Sequence, residues 1–220
     1  CTDSNQVIAN RIRLAASTLP LERWALACQE HTDVCRPVNT NDLGKGTLVY
    51  ETGLPACDAL YTTQPDVLIG VMTADCVGIL LTDPTTPCLA AIHSGWPGTL
   101  ASITKKTVAS LIRQGLLHPE TTTAFFSPSI LFSSFEVGMD LVDRFIERGF
   151  DLEGCVRQVS EEKAYLDNQG LNEKMLKECG ITKIHLSKID TKTHPDLCFS
   201  YRNKDIGRHF TYGYIKGSSR

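Results

Sequence analysis

Apolar and polar positions alternate along this chain in two rhythms, and each rhythm predicts a different element. Val7, Ile8, Ile12 and Leu14 recur at helical spacing and predict an opening amphipathic helix. Short apolar runs follow at 24–29, 48–50, 67–72, 77–82 and 88–93 and read as strands. From Thr99 to Gln114 the pattern turns helical, with Leu100, Ile103, Val108, Leu111 and Ile112 as its apolar positions and Gly115 closing it. A strand at 122–127 precedes a helix near 138–148, closed by Gly149. Leu171, Met175, Leu176 and Cys179 mark a further helix closed by Gly180, and Ile181 to Leu186 reads as a strand. The tail from His209 to Lys216 alternates Phe210, Tyr212 and Tyr214, again a strand signal. Strands cluster early and alternate with helices later. This predicts an α/β (α+β) fold, a three-layer α/β/α arrangement around a mixed sheet. No internal repeat or low-complexity linker divides the chain, so 1–220 reads as a single domain.

Composition narrows the function classes. The 220 residues suffice to bury a substantial core, and 42% hydrophobic with 21% charged residues is ordinary for a soluble globular protein. A formal charge of −3 gives no electrostatic reason to expect nucleic acid or an anionic membrane as partner. The most apolar window, Val67 to Leu81, is interrupted by Asp75 and is too short to span a bilayer. The start, Cys1-Thr2-Asp3-Ser4-Asn5-Gln6, is polar and lacks the apolar centre of a signal peptide. With no initiator Met, it reads as a start whose upstream segment is missing. Nine cysteines, an odd number without a C-x-x-C pair, fit a reduced cytoplasmic protein better than a disulfide scaffold.

The candidate chemistry sits where apolar runs end. Thr73-Ala74-Asp75-Cys76 follows the 67–72 run, and His93-Ser94-Gly95-Trp96 follows Cys88-Leu89-Ala90-Ala91-Ile92. A thiol and an imidazole just after two adjacent strands can converge at one sheet edge. Gln29-Glu30-His31, after Trp24-Ala25-Leu26-Ala27-Cys28, offers a third group. One Cys and two His, here Cys76, His31 and His93, match the donor set of a catalytic zinc with an open fourth position. The same residues admit a plainer reading, with His31 on a surface loop, Cys76 in the core and His93 a hydrogen-bonded interior histidine. On an extended chain Asp75 points away from Cys76. At a strand end it can instead turn into the pocket to orient a ligand or act as general acid or base, or simply cap a turn. Arg202 and Arg208, near the C-terminal strand, offer planar donor forks for phosphate or carboxylate, or surface ion pairs.

At these residues the chain resembles the YfiH-like, laccase-domain family. That family was once called multicopper polyphenol oxidases and is now associated with purine nucleoside phosphorolysis and deamination. Asn10-Arg11 is similar to its N-terminal helix, Gln29-Glu30-His31 to its Q-x-H-G element and Asp58-Ala59-Leu60 to its D-A-L. Thr73-Ala74-Asp75-Cys76 and His93-Ser94-Gly95-Trp96 match its T-A-D-C and H-A-G-W-R-G signatures. Phe135-Glu136-Val137-Gly138, Asp167 to Leu171, Phe199-Ser200-Tyr201-Arg202 and Gly207-Arg208 follow in family order. The resemblance implies zinc held by His31, Cys76 and His93. It also implies phosphorolysis of adenosine, inosine, guanosine or methylthioadenosine, with adenosine deamination as a second activity. Nucleoside and phosphate are then the expected partners, Arg202 a substrate-binding residue and Asp75 a catalytic acid; a homodimer is compatible.

The chain departs from the pattern in several places. Pro97 replaces the arginine of G-W-R-G, Thr32 the glycine after the first histidine, Ser127-Pro128 a G-P pair, and Asp190-Thr191 a cysteine-threonine pair. The metal half of the signature is intact, and the anion-binding half is altered. Two other enzyme readings compete. Cys76 and His93 could form a thiolate–imidazole pair in a cysteine hydrolase or deamidase. The family is also linked to peptidoglycan-precursor editing, an amide hydrolysis. A non-catalytic, zinc-stabilised family member is the third alternative. A copper oxidase lacks ligands: six histidines exist and none forms an H-x-H pair.

Overall fold

The strongest apolar runs become the central strands, and the residues that end them converge on one edge. The computed structural model describes residues 4–217; Cys1, the first of the nine cysteines, lies outside the described residues. The chain opens with α1 (Ser4–Ala15), followed by β1 (Trp24–Leu26), β2 (Cys35–Pro37), β3 (Ala59–Thr62), β4 (Leu68–Thr73), β5 (Val77–Asp83) and β6 (Cys88–Ser94). Two helices come next, α2 (Trp96–Leu100) and α3 (Ile103–Arg113), then β7 (Thr123–Phe126), β8 (Glu136–Gly138) and α4 (Met139–Glu147). The chain continues through β9 (Val156–Gln158), β10 (Lys163–Leu166), α5 (Asn168–Glu178), β11 (Lys183–His185) and β12 (His209–Tyr214).

The α/β class holds, and the strands divide into three sheets. The largest has the order β11-β7-β5-β6-β3-β2, with parallel pairs at both ends and antiparallel pairs between. A second sheet, β1-β4-β12, pairs β1 parallel and β12 antiparallel to β4. The third, β8-β10-β9, is antiparallel.

The period-two alternation of β6 explains the layering. Cys88, Ala90 and Ile92 pack with Ile103, Val108 and Leu111 of α3 and Leu176 of α5. Leu89 and Ala91 face the other way, onto Ala25, Ile69 and Val71 of the second sheet. The six-stranded sheet is therefore covered by α3 and α5 on one face and by the β1-β4-β12 sheet on the other. A strand covered on both faces is apolar throughout, and every residue of β6 is buried.

Two elements differ from their sequence pattern. The 99–114 run is split at Ser102, which adopts a left-handed φ of 62°. Leu100 belongs to a core around α4 and the third sheet, whereas Ile103, Val108 and Leu111 belong to the core under α3, so one straight helix could not serve both. The 48–50 run is not a strand. Leu48 and Val49 are 56% and 52% exposed, and a 3-10 turn, Tyr50–Thr52, follows. No helix of the described residues is long and apolar enough to cross a membrane.

One buried carboxylate ties the far end of the large sheet. Asp83, the last residue of β5, accepts hydrogen bonds from the Thr85 and His118 amides (2.9 and 2.7 Å) and from the Thr85 and Thr121 hydroxyls. Burial would raise its pKa, but these donors outweigh burial and hold it well below the ordinary carboxylate range. Its folded pKa lies below its unfolded one. Its contribution is therefore complete above the unfolded value, about pH 4, and is lost as pH falls toward the folded one. Urea unfolding of Asp83→Asn is expected to show a loss of roughly 2–4 kcal/mol at pH 7, with the gap to the wild type narrowing below about pH 4.

Candidate metal centre

Three strand ends deliver the candidate ligands, and polar anchors fix the two histidines. Past β1, Gln29 clamps the β4 backbone: its amide donates to the Met72 carbonyl (2.8 Å) and accepts from the Met72 N–H (2.7 Å). This places His31, in a left-handed φ of 61°, beside the end of β4. Cys76 lies in the turn 74–76 between β4 and β5, where the chain passes from one sheet to the next. His93 is the penultimate residue of β6, paired with Gly78 of β5, and its N–H donates to the Asp58 carbonyl (2.7 Å).

The three side chains meet. One ligand atom from each of His31, Cys76 and His93 lies within 4.8 Å of the others, and among the described residues no other such cluster of three or more occurs. Cys76 Sγ is 3.9 Å from His31 Nε2, and the two imidazoles meet edge to face with centroids 4.9 Å apart. His93 is buried, Cys76 half-buried and His31 exposed, so the cluster opens to solvent on the His31 side. Gly95 makes room for it. A Cβ there would come within 2.7 Å of the His31 ring and 2.9 Å of Cys76 Sγ.

Asp58 organises the cluster. Fully buried, it receives His93 Nδ1 on Oδ1 (2.7 Å). On Oδ2 it receives the Glu30 amide and the Thr32 amide and hydroxyl. Burial would raise its pKa, but His93 and the Thr32 donors bring it below the ordinary carboxylate value. With Nδ1 engaged, His93 has Nε2 left for a ligand. Burial pushes the Cys76 thiol up, yet contact with His31 and His93 brings it down to about 6. Against its own burial, His93 is raised by Asp58 and by its contact with Cys76. A thiolate and two imidazoles in reach of one point, one side open, can hold a metal ion.

The His93–Gly95 turn is anchored from behind by α5. Asn168 donates to the Ser94 carbonyl (2.9 Å), and Asn172 donates to the Thr99 hydroxyl (3.0 Å) and accepts from the Thr104 hydroxyl (2.6 Å). Thr99 also bonds the Gly95 carbonyl, and all these groups are buried.

The other sequence candidates fall around this cluster. Asp75 is buried beside Cys76, with both carboxylate oxygens taken by Thr191 and the Arg202 amide. The Arg202 guanidinium is exposed; it lies over the Phe135 ring (5.0 Å) and donates to the Glu136 carbonyl. Arg208 is exposed and bonds carbonyls of its own segment. Pro97 sits in the first turn of α2, and Arg144 of α4 stacks over the neighbouring Trp96 (5.0 Å). Asn172 was not singled out, and Gln29, Asp58 and Asn168 fell only within motif resemblances.

Several known proteins resemble this chain over most of its length. The family model described as multi-copper polyphenol oxidoreductase laccase matches residues 2–216. The purine nucleoside phosphorylase YlmD of Bacillus subtilis (strain 168) is 28% identical, the match covering 92% of this chain and 73% of that protein. The adenosine deaminase RL5 of an unknown prokaryotic organism is 32% identical over 97% of this chain and 84% of its own length. The crystal structure of YlmD from Geobacillus stearothermophilus shares the fold with a TM-score of 0.92 at 28% identity, covering 98% of this chain and 82% of that one.

Removing the Asp58 carboxylate frees the His93 ring and the His31 loop together. Asp58→Ala is expected to lower metal affinity roughly 10- to 100-fold, read by competition with a chromogenic chelator. Unaltered affinity would show that the ligands are oriented without it.

Proposed function

The chain belongs to the multi-copper polyphenol oxidoreductase laccase family, and we propose that it is a zinc-dependent enzyme acting on purine nucleosides. It would cleave them with phosphate to free base and ribose 1-phosphate, and convert adenosine and water to inosine and ammonia. The observation that carries this reading is the open His31–Cys76–His93 triad. One thiolate and two imidazoles suit zinc and leave a position for water or substrate. Relatives named purine nucleoside phosphorylase and adenosine deaminase support the substrate class. Oxidase chemistry with several coppers needs further ligand clusters, and among the described residues no second group of three or more such side chains occurs.

When bound, zinc supplies a Lewis acid that polarises an oxygen and lowers the pKa of water. The protein does the rest by position. Asp58 holds the His93 ring in one tautomer, and Gly95 keeps the space beside Cys76 free. Buried His93 closes the cluster on the interior side, while exposed His31 leaves the other side open to solvent. In phosphorolysis a phosphate oxygen forms the bond to C1′ as the bond to the purine nitrogen breaks, and the purine takes up a proton. Arg202, exposed and tied through its amide to the residue before Cys76, would share the phosphate charge. Phosphate and nucleoside are thus the partners we assign. Free thiols from Cys28 to Cys198 suit a reducing compartment, in keeping with a cytoplasmic enzyme.

A cysteine hydrolase is the second reading, favoured by the lowered pKa of the Cys76 thiol. Chelation separates the two. A zinc enzyme loses turnover with its metal and regains it on zinc addition, whereas a thiolate nucleophile survives chelation and is stopped by alkylation. Cys76→Ala is expected to lose zinc by metal analysis and to form neither adenine nor inosine from adenosine, with or without phosphate. A fully active Cys76→Ala protein would overturn the zinc reading.

A further inference from the structure

Asp75 sits in the turn through which the chain leaves the β1-β4-β12 sheet and enters the six-stranded one. It adopts a left-handed φ of 80° and is 8% exposed. Three distant stretches bind it. Its Oδ1 accepts the Thr191 hydroxyl (2.6 Å), its Oδ2 the Arg202 backbone amide (2.8 Å), and its carbonyl the Ile130 amide (2.9 Å). Thr191 is itself fully buried, its amide on the Ser129 carbonyl. The segment next to Arg202 is fixed from its other side, where the His209 ring bonds the Phe199 backbone and Asp205 takes the Ser200 amide. Phe199, Tyr201 and the Arg202 side chain are exposed, and the Arg202 amide is tied to the residue that precedes Cys76.

A carboxylate with both oxygens committed to the fold is poorly placed to exchange a proton with substrate. We propose that Asp75 is a positioning residue. It fastens the Thr191 and Tyr201–Arg202 segments against the turn that bears Cys76, and so builds one wall of the site. Its kinetic consequence rests on the nucleoside reading; the clamp itself does not.

Hydrogen-bond chemistry supplies a discriminating test. The Arg202 amide can only donate, whereas the Thr191 hydroxyl can donate or accept. In Asp75→Asn the side-chain oxygen can serve Arg202 and the NH2 group can serve Thr191. Asn also tolerates the left-handed backbone. Asp75→Gly keeps that backbone freedom and loses both bonds. The zinc-loaded wild type and both variants are compared by hydrogen exchange at Arg202 and by steady-state kinetics on adenosine and inosine.

Asp75→Asn is expected to stay within about threefold of the wild-type kcat/KM, with Arg202 protected. Asp75→Gly is expected to lose about tenfold or more, mainly in KM, with fast exchange at Arg202. Equal losses in the two variants, carried by kcat, would make Asp75 an acid–base group and overturn the proposal. Wild-type kinetics and exchange in Asp75→Gly would overturn it as well. If the wild type turns over no purine nucleoside, the nucleoside reading falls and exchange at Arg202 alone decides the clamp. Should Asp75→Gly fail to fold, Thr191→Val takes its place: a severalfold rise in KM supports the clamp, and an unchanged KM overturns it.

Discussion

Asp58 carries a charge with no accessible surface, and the site depends on how that charge is satisfied. A buried carboxylate costs several kcal/mol in desolvation unless donors surround it. Here the donors are the His93 imidazole, the Thr32 amide and hydroxyl, and the Glu30 amide. They come from β6 and from the loop that bears His31. The same four contacts that make Asp58 tolerable in the interior therefore fix two candidate ligands relative to one another. The third ligand, Cys76, is placed by the turn between β4 and β5. It joins the other two because Gln29 binds the His31 loop to the last turn-ward residues of β4.

The arrangement explains why the site lies where two sheets meet. β4 belongs to the β1-β4-β12 sheet and β5 to the six-stranded one, so the chain must cross between layers at 74–76. That crossing needs a left-handed residue, supplied by Asp75, and it leaves Cys76 at the mouth of the gap. By strand alternation His93 continues the Leu89–Ala91 face, the face that looks across this gap. The helices act from behind. Asn168 and Asn172 of α5 reach the Ser94 carbonyl and Thr99, holding the end of β6 through buried hydrogen bonds that would be costly to leave unmade.

The candidate ligands stand out in the sequence for a local reason. Each stands just past an apolar run, and a reactive side chain at the end of a buried strand is conspicuous in one dimension. Their supports were legible only as motif resemblance, as with Gln29 and Asp58, or not at all, as with Asn172. Asp58 and His93 are 35 positions apart, and Asn168 and Ser94 are 74 apart, separations that leave no periodic trace. The elements show the same division. Strands β4 to β7 and β12 follow from their apolar patterns, because pattern and burial agree there. The 48–50 run misleads because it is apolar without a strand to pair with. The short β8, β9 and β10 carry exposed polar residues and lack a run to betray them. The break at Ser102 is set by two cores competing for one stretch of helix, a demand that exists only in three dimensions.

The detail of His31 bears on what the cluster is for. A cysteine nucleophile needs a single imidazole, and His93, already oriented by Asp58, would suffice. His31 adds a second imidazole at a cost. Its backbone is held at positive φ, a conformation that a non-glycine residue keeps only when its surroundings enforce it. The chain must also omit a side chain at residue 95, because a Cβ there would collide with the His31 ring. Gln29 and Asp58 both serve to enforce that placement from opposite ends of the loop. A nucleophilic pair would gain only the depressed thiol pKa that contact with His31 helps to give. A metal ion would gain a third donor with one face left open, which accords with the proposed ligation.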